Sequence, residues 1–424
     1  MKFNLDPALA VDLDACDDLA TLRSRFVIVD PHTIYLDGNS LGRLPTATAQ
    51  HMQDIVQHQW GERLIRGWND GWIDAPTRLG AKLAHILGAQ SDEVLVADST
   101  SVNLFKLAVA ALRARPQRTR LVSDSLNFPS DLYIFQGVLD LLGGGRILEL
   151  VPSADGIQTQ MGDLEQTLGA DTALLSLSHV AFKSAFLYDM AAVTRMAHEH
   201  GALVLWDLSH SAGAVPVELN AWGVDMAVGC TYKYLNGGPG APAYLYVRRD
   251  LQSELQQPIW GWFGANNPFA FDREYTPAEG MARFQIGTPP MLSLLALEPG
   301  MDLVAEAGIE RLRTKSMNQL AYLVFLFQQW LEPLGFSLGS PTEPAHRGSH
   351  ISLRHHEAYR INWALINDTD VRVIPDFRAP DFLRLGITPL YTSYQDIYRA
   401  MERIHRVTRD KLYLNAPAEH TRVT

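Results

Sequence analysis

Only two cysteines, Cys16 and Cys230, occur among the 424 residues. Two thiols build neither a disulfide framework nor the four-ligand shell of a structural zinc site, so redox and metal functions are not expected. No run of Lys and Arg offsets the formal net charge of -11, and the chain would repel nucleic acid and anionic membrane surfaces. No apolar stretch reaches the ~18 residues of a membrane span. The opening residues, MKFNLDPALAVDLDACDDLA, are broken by Asp and lack the basic-then-apolar order of a secretion signal. Repeats and low-complexity linkers are missing too. These absences leave a cytoplasmic protein that works on a small molecule as the expectation.

What is present is apolar material in short runs. With 47% hydrophobic and 20% charged residues, the chain can bury a large core and a smaller one. The runs at 93–98, 120–124, 146–151, 172–178, 202–207 and 225–230 read as buried strands. Helical patterns such as SVNLFKLAVAALRA and DMAAVTRMAHEH fall between several of them. This alternation predicts an α/β fold with a mostly parallel sheet covered by helices. Beyond FQIGTPPMLSLLALEPG the texture changes. A helical stretch from about Met301 to Leu334 precedes HISLR, VRVIPDF and DFLRLGI, and a last helix begins at Ser393. The expected division is a large domain over 61–300 and a smaller α+β domain over 301–424, joined by the N-terminal segment 1–60.

Open parallel sheets bind ligands at the carboxyl ends of their strands. LVLWDLSHSAG ends one strand at Asp207 with His210 three residues on, and VGCTYKYLNGG follows the next strand with Lys233. An amine and a carboxylate at successive strand ends suit pyridoxal phosphate. The amine forms the cofactor's Schiff base, and the acid keeps the ring nitrogen protonated so that the ring accepts electrons. Thr100 and Ser101, after a strand and at a helix start, could cup the phosphate through free N–H groups, although an ordinary helix cap reads the same way. Phe128 could stack on a pyridine face, with Asp131 three residues later; a buried ring and a helix cap is the equal alternative. The histidines of RHH at 354–356 and His350 match no zinc spacing and read as solvated or packing side chains.

The segments YLDGNSLGRLP, FPSD, WDLSHSAG, CTYKYLNGGPG, GWFG and RLGITPLYTSYQDIYRAM, in that order from about residue 35 to 405, together resemble the kynureninase family. The resemblance implies the pyridoxal-phosphate-dependent transferase fold type I, with a seven-stranded sheet in its large domain. It also implies a homodimer with active sites shared between subunits and hydrolysis of L-kynurenine, or its 3-hydroxy form, to anthranilate and L-alanine in tryptophan catabolism. Carried over motif by motif, Lys233 would be the Schiff-base lysine, Asp207 the partner of the pyridine nitrogen and His210 a neighbour of the ring hydroxyl. Thr100, Ser101 and Tyr232 would hold the phosphate, Phe128 would stack on the ring with Asp131 close by, and Ser178 would be a further cofactor contact. Trp262 and Thr288 would reach the phosphate from the second subunit.

For the substrate, the resemblance implies Arg384 on the carboxylate, where a planar fork suits two oxygens. Trp68, Asn39 and Ser40 would lie on the same side. Tyr232 is the candidate acid for the final protonation of the alanine carbon. Rival readings are an aminotransferase or cysteine desulfurase of the same fold, and a non-catalytic pyridoxal-phosphate protein. A desulfurase needs a thiolate on a mobile loop, which neither Cys16 nor Cys230 offers by position.

Overall fold

The computed structural model describes residues 3–417; the last residues of the expected small domain, 418–424, lie outside the described residues. The first strand, β1 (Thr33–Tyr35), stands apart from the main sheet. The main sheet is built from β2 (Val94–Val96), β3 (Arg120–Asp124), β4 (Ile147–Val151), β5 (Thr172–Ser178), β6 (Leu203–Asp207), β7 (Met226–Gly229) and β8 (Tyr244–Val247), in the order β2-β8-β7-β6-β5-β3-β4. Strands β3 to β7 pair in parallel, and β8 runs antiparallel between β2 and β7. Every residue of β5, β6, β7 and β8 is buried, as expected of strands covered on both faces.

The chain leaves β3 for the edge strand β4 and returns to the other side of β3 as β5. That reversal opens a crevice at the carboxyl ends of the sheet, the position where such folds bind ligands. Asp124 ends β3, Ser178 ends β5 and Asp207 ends β6 along its rim.

The second sheet contains β9 (Ser337–Leu338), β10 (His350–Arg354), β12 (Asp376–Arg378) and β13 (Phe382–Gly386), antiparallel in the order β12-β13-β10-β9. Between them, β11 (Arg372–Ile374) pairs in parallel with β1. VRVIPDF is therefore two strands rather than one: Pro375 has no N–H to donate to a ladder, and the chain changes sheets there. The expected helix from Met301 to Leu334 is also divided. Helices Glu298–Ala307 and Ile309–Trp330 meet at Gly308, whose φ of 78° a side chain would resist. The closing helix, Tyr394–Arg409, starts with a capping box in which Ser393 and Asp396 satisfy each other's backbone N–H.

The N-terminal residues serve both cores. Ala10, Leu13, Ile34 and Leu36 pack with Leu323, Ile351, Leu385 and Ile397. Leu19, Leu22, Phe26 and Ile55 join the cluster of Leu79, Val96 and Trp206 under the main sheet. Burying each of the leucine, isoleucine, valine and phenylalanine side chains among them contributes about 1.5–3 kcal/mol. The segment thus ties Asp37, Asn39 and Ser40 to the crevice between the two sheets.

Candidate active site

A cavity of about 210 Å³ opens at the crevice, and its walls include Asn39, Ser40, Thr100, Ser101, Phe128, Asp131, Ser178, Asp207, His210, Tyr232, Lys233 and Arg384. Twelve of the fifteen residues singled out from the sequence therefore meet in one place. A larger cavity, of about 310 Å³ beside Gln59 and Trp72, has its charges paired internally, Arg63 with Asp70 and Arg78 with Glu298. It presents no free amine beside a buried carboxylate, so the chemistry belongs to the cavity at the strand ends.

Asp207 and Lys233 come from neighbouring parallel strands, β6 and β7, in a register that sets Asp207 opposite Val228. The turn after β6 wraps back on Asp207, whose Oδ1 accepts from the Ser209 N–H at 2.8 Å and from Ser209 Oγ at 2.6 Å. Burial pushes the Asp207 carboxyl upward, while Lys233 and the Ser209 bonds pull it back toward the charged form. Lys233 Nζ lies 3.0 Å from His210 Nε2. Burial and the neighbouring Lys233 hold the His210 imidazole well below its usual value, so it is neutral and Nε2 serves as acceptor. His210 Nδ1 is buried without a partner. His350, read from sequence as packing or solvated, is fully buried with its ring 5.3 Å from that of His210.

Asp131 stands in the first turn of helix Pro129–Leu142, buried, with Oδ2 unpartnered. Its carboxyl is raised well above the ordinary range, first by burial and then by Asp207. Thr100 and Ser101 open helix Thr100–Ala114, whose first-turn N–H groups have no helical acceptor. Ser101 Oγ is 3.2 Å from Ser130 Oγ. Phe128 is exposed on the cavity side and meets Phe182 edge-on, with centroids 5.1 Å apart. Ser178 Oγ donates to Asn127 Oδ1 at 2.7 Å, and Asn127 Nδ2 donates to Ser123 Oγ at 3.0 Å. The Tyr232 phenol is pushed upward by Cys230 beside it and by burial, so it keeps its proton.

Arg384 is almost wholly buried on β13. It pairs with Asp376, its cross-strand neighbour, and donates to the Phe182 carbonyl at 2.6 Å and to Ser40 Oγ at 2.8 Å. With the Asn39 amide turned oxygen-inward, Oδ1 accepts from Arg384 Nε at 2.9 Å and Nη2 at 3.2 Å.

Three expected site residues lie elsewhere. Trp68 packs against Trp72 and Phe263, each at 5.7 Å, and does not reach the cavity. Trp262 is exposed among Phe263, Phe269 and Phe271, and Thr288 is exposed as well. Conversely, Ser130, Phe182, Ser209 and Arg378 line the cavity without having been singled out. Ser209 carried a signal, being two residues beyond the strand-end Asp207. Phe182 and Arg378 reach the wall through pairings that no local pattern encodes.

The fold and the strand-end lysine facing a carboxylate define a pyridoxal-phosphate-dependent enzyme of fold type I. Solved structures with this architecture include a cysteine desulfurase from Thermococcus onnurineus, with TM-score 0.74, 18% identity, and 89% of this chain and 95% of that one covered. Another is a C-DES variant with glycine covalently linked to its PLP cofactor, at TM-score 0.76, 17% identity, and 88% and 96% coverage. At such identities the likeness speaks to fold alone. The kynureninase C-terminal domain model matches residues 312–404. Kynureninase from Pseudomonas fluorescens is 43% identical over 409 residues, 95% of this chain and 96% of the relative. That from Burkholderia mallei strain SAVP1 is 42% identical over 407 residues, 95% of each. The chain belongs to the kynureninase family.

Proposed function

We propose that this enzyme hydrolyses the Cβ–Cγ bond of L-kynurenine to give anthranilate and L-alanine, with pyridoxal phosphate as its cofactor. One observation carries the reading: Lys233 and Asp207 face one cavity together with two buried polar atoms that lack partners, Asp131 Oδ2 and His210 Nδ1. Leaving such atoms unpaired costs about 1–3 kcal/mol each, so a polar ligand is the occupant they favour. These groups fit the cofactor. Lys233 would hold it covalently and Asp207 would pair with its ring nitrogen. His210 and Asp131 would meet its polar edge, Phe128 would cover one face, Ser178 would touch it through Oγ, and Thr100, Ser101 and Tyr232 would take the phosphate. When bound, the cofactor supplies an electron sink for carbanions at the substrate's α-carbon.

The protein's own groups account for positioning and proton movement. Arg384, with Asn39 and Ser40, fixes the α-carboxylate and so the direction in which the α-hydrogen points. Lys233 Nζ, free once the substrate's amine has taken its place, would be the base for that hydrogen, and neutral His210 accepts a hydrogen bond from it. Water adds to the γ-carbonyl, the Cβ–Cγ pair of electrons passes to Cβ, and Cβ takes a proton. Tyr232 is the candidate donor for that last step: its phenol keeps its proton here, and the upward push makes it a weaker acid, so the transfer is driven by the basicity of the carbon that receives the proton.

A transaminase would need a keto acid to turn over, and a desulfurase would need a mobile thiolate. Cys230 is buried and its thiol is pushed upward by burial, the opposite of a poised nucleophile. A non-catalytic carrier would have no use for a buried arginine held by a carboxylate at the far wall. Incubating the purified protein with L-kynurenine and no keto acid should release anthranilate and alanine in equal amounts; a requirement for keto acid would refute the hydrolase.

The same reading extends to a homodimer. Trp262, Phe269 and Phe271 form one exposed aromatic cluster, the kind of apolar surface that marks an interaction site. A second copy covering it would carry Trp262 and Thr288 toward the partner's phosphate site, and Trp68 toward its substrate side. A cytoplasmic location fits a net charge of -11 and the observation that, among the described residues, no helix is long and apolar enough to cross a membrane.

A further inference from the structure

Arginine has five N–H donors, and a bidentate grip on a carboxylate uses two. Arg384 has already committed most of its own. Nε faces Asn39 Oδ1, the two Nη2 protons face Asp376 and Ser40, and one Nη1 proton goes to the Phe182 carbonyl. One N–H remains. Asp376 also neutralises its charge, so Arg384 alone is a weak receptor for an incoming carboxylate.

A second guanidinium stands beside it. On β12, Asp376 and Arg378 are two residues apart and so point to one face, and the register sets Asp376 across from Arg384. Arg378 Nε donates to Asp376 Oδ2 at 2.8 Å, the same oxygen that takes Arg384 Nη2. The Arg378 side chain is 37% exposed where Asp376 is 3% exposed, and it lines the cavity with Lys233 and His210. No protein acceptor is found for its Nη groups among the described residues. The trio carries one net positive charge, and the free donors are on Arg378.

We propose that Arg378 is a substrate-binding residue: its Nη edge takes one oxygen of the substrate's α-carboxylate while the remaining N–H of Arg384 takes the other. Asp376 holds both guanidiniums in register for this. The inference rests on the reading that this cavity receives an α-amino acid.

The test uses the cofactor-loaded enzyme and three ligands: L-kynurenine, L-alanine, and the amine that keeps kynurenine's aryl ketone but lacks the carboxyl group. Arg378→Gln should raise KM for kynurenine and the half-saturating concentration of alanine, read from cofactor absorbance, by about ten- to a hundredfold. kcat should stay within about threefold of wild type. Inhibition by the carboxyl-free amine should not change, which a general loosening of the site would not allow. Arg378→Lys keeps the charge without the planar edge and should recover part of the loss; it also serves if the Gln variant does not fold. Wild-type values for kynurenine and alanine in both variants, a fall in kcat with KM unchanged, or equal weakening of the carboxyl-free amine would each overturn the proposal. Those results leave the hydrolase standing, whereas failure of the wild-type enzyme to cleave kynurenine or bind alanine would remove the reading beneath it.

Discussion

Lys233 Nζ and His210 Nε2 lie 3.0 Å apart, each placed by a turn that follows one of two adjacent parallel strands. The contact places the most reactive amine of the site against an imidazole that burial keeps uncharged. A charged imidazole there would repel the ammonium form of the lysine; a neutral one orients its protons. The geometry thus assigns the lysine to the interior of the cavity rather than to solvent.

If Lys233 is the covalent anchor and the base, as proposed, its replacement by Ala removes both. Turnover should fall by at least about 10³-fold, the range over which loss of a covalent catalyst acts. The variant should lack the yellow band of the wild-type protein, and borohydride reduction should leave no pyridoxyl label on the peptide spanning 230–240. A labelled peptide elsewhere in the wild-type chain would assign the anchor to another lysine.

Asp37 couples pH to the cavity wall that carries Asp376 and Arg384. Burial and the nearby Asp376 raise its carboxyl to about 7, against an ordinary value of 3.8. The native state therefore holds a proton that the unfolded chain has released, and stability should decline as pH rises from about 4 to about 7. Asp37→Asn has no proton to lose. Its Tm should match wild type near pH 4 and exceed it at pH 8, by an amount that grows through that window. Parallel Tm curves across the range would show that Asp37 titrates normally.

The strand ends were readable because chemistry and periodicity coincide there. The apolar runs at 120–124 and 172–178 are β3 and β5 to the residue, Asp207 closes the run that forms β6, and Lys233 stands in the turn after β7. YLYV is not among the expected strands, and β8 takes its place in the sheet from its antiparallel pairing with β2 and β7. The division at Gly308 is a matter of backbone sign, and a single glycine inside a helical pattern does not declare it. Asn127 organises Ser178 and the backbone of Phe128, yet an asparagine in a loop is too common to stand out. Trp262 and Thr288 came from resemblance alone, and neither they nor Trp68 lines the cavity at the strand ends.

Lys106 joins the turn before the helix of Thr100 and Ser101, the proposed phosphate cup, to the segment around Phe284. It is fully buried, and its Nζ donates to Asp98 Oδ2 at 2.6 Å and to the Phe284 carbonyl at 2.7 Å. Asp98 has φ of 53° and directly precedes the Ser99 cap of the helix bearing Thr100 and Ser101. Lys106→Met leaves the Asp98 charge and the carbonyl without their shared donor. The expected cost is about 2–4 kcal/mol in denaturant unfolding, the lower part of the range for a broken buried pair because Asp98 is partly exposed. Without that anchor the turn leading into Thr100 and Ser101 loosens, so the same variant should lose pyridoxal phosphate more readily on dialysis. Unfolding at the wild-type midpoint with full cofactor retention would make Lys106 a passive filler.

If Trp262 and Thr288 serve the neighbouring subunit, each active site draws its lysine from one chain and part of its phosphate shell from the other. Two defective variants then complement. Lys233→Ala homodimers are inactive in both sites, and a Trp262→Ala, Thr288→Ala double variant holds cofactor poorly in both. A mixed dimer has one site with both defects and one with neither. Unfolding and refolding an equimolar mixture produces mixed dimers as half of the population by random pairing, each with one intact site, so about a quarter of wild-type activity should return. Because neither parent alone supplies an intact site, the recovery cannot come from residual homodimers. Activity equal to the sum of the parents after exchange, with mixed dimers demonstrated by mass, would place all of these residues in the service of a single chain.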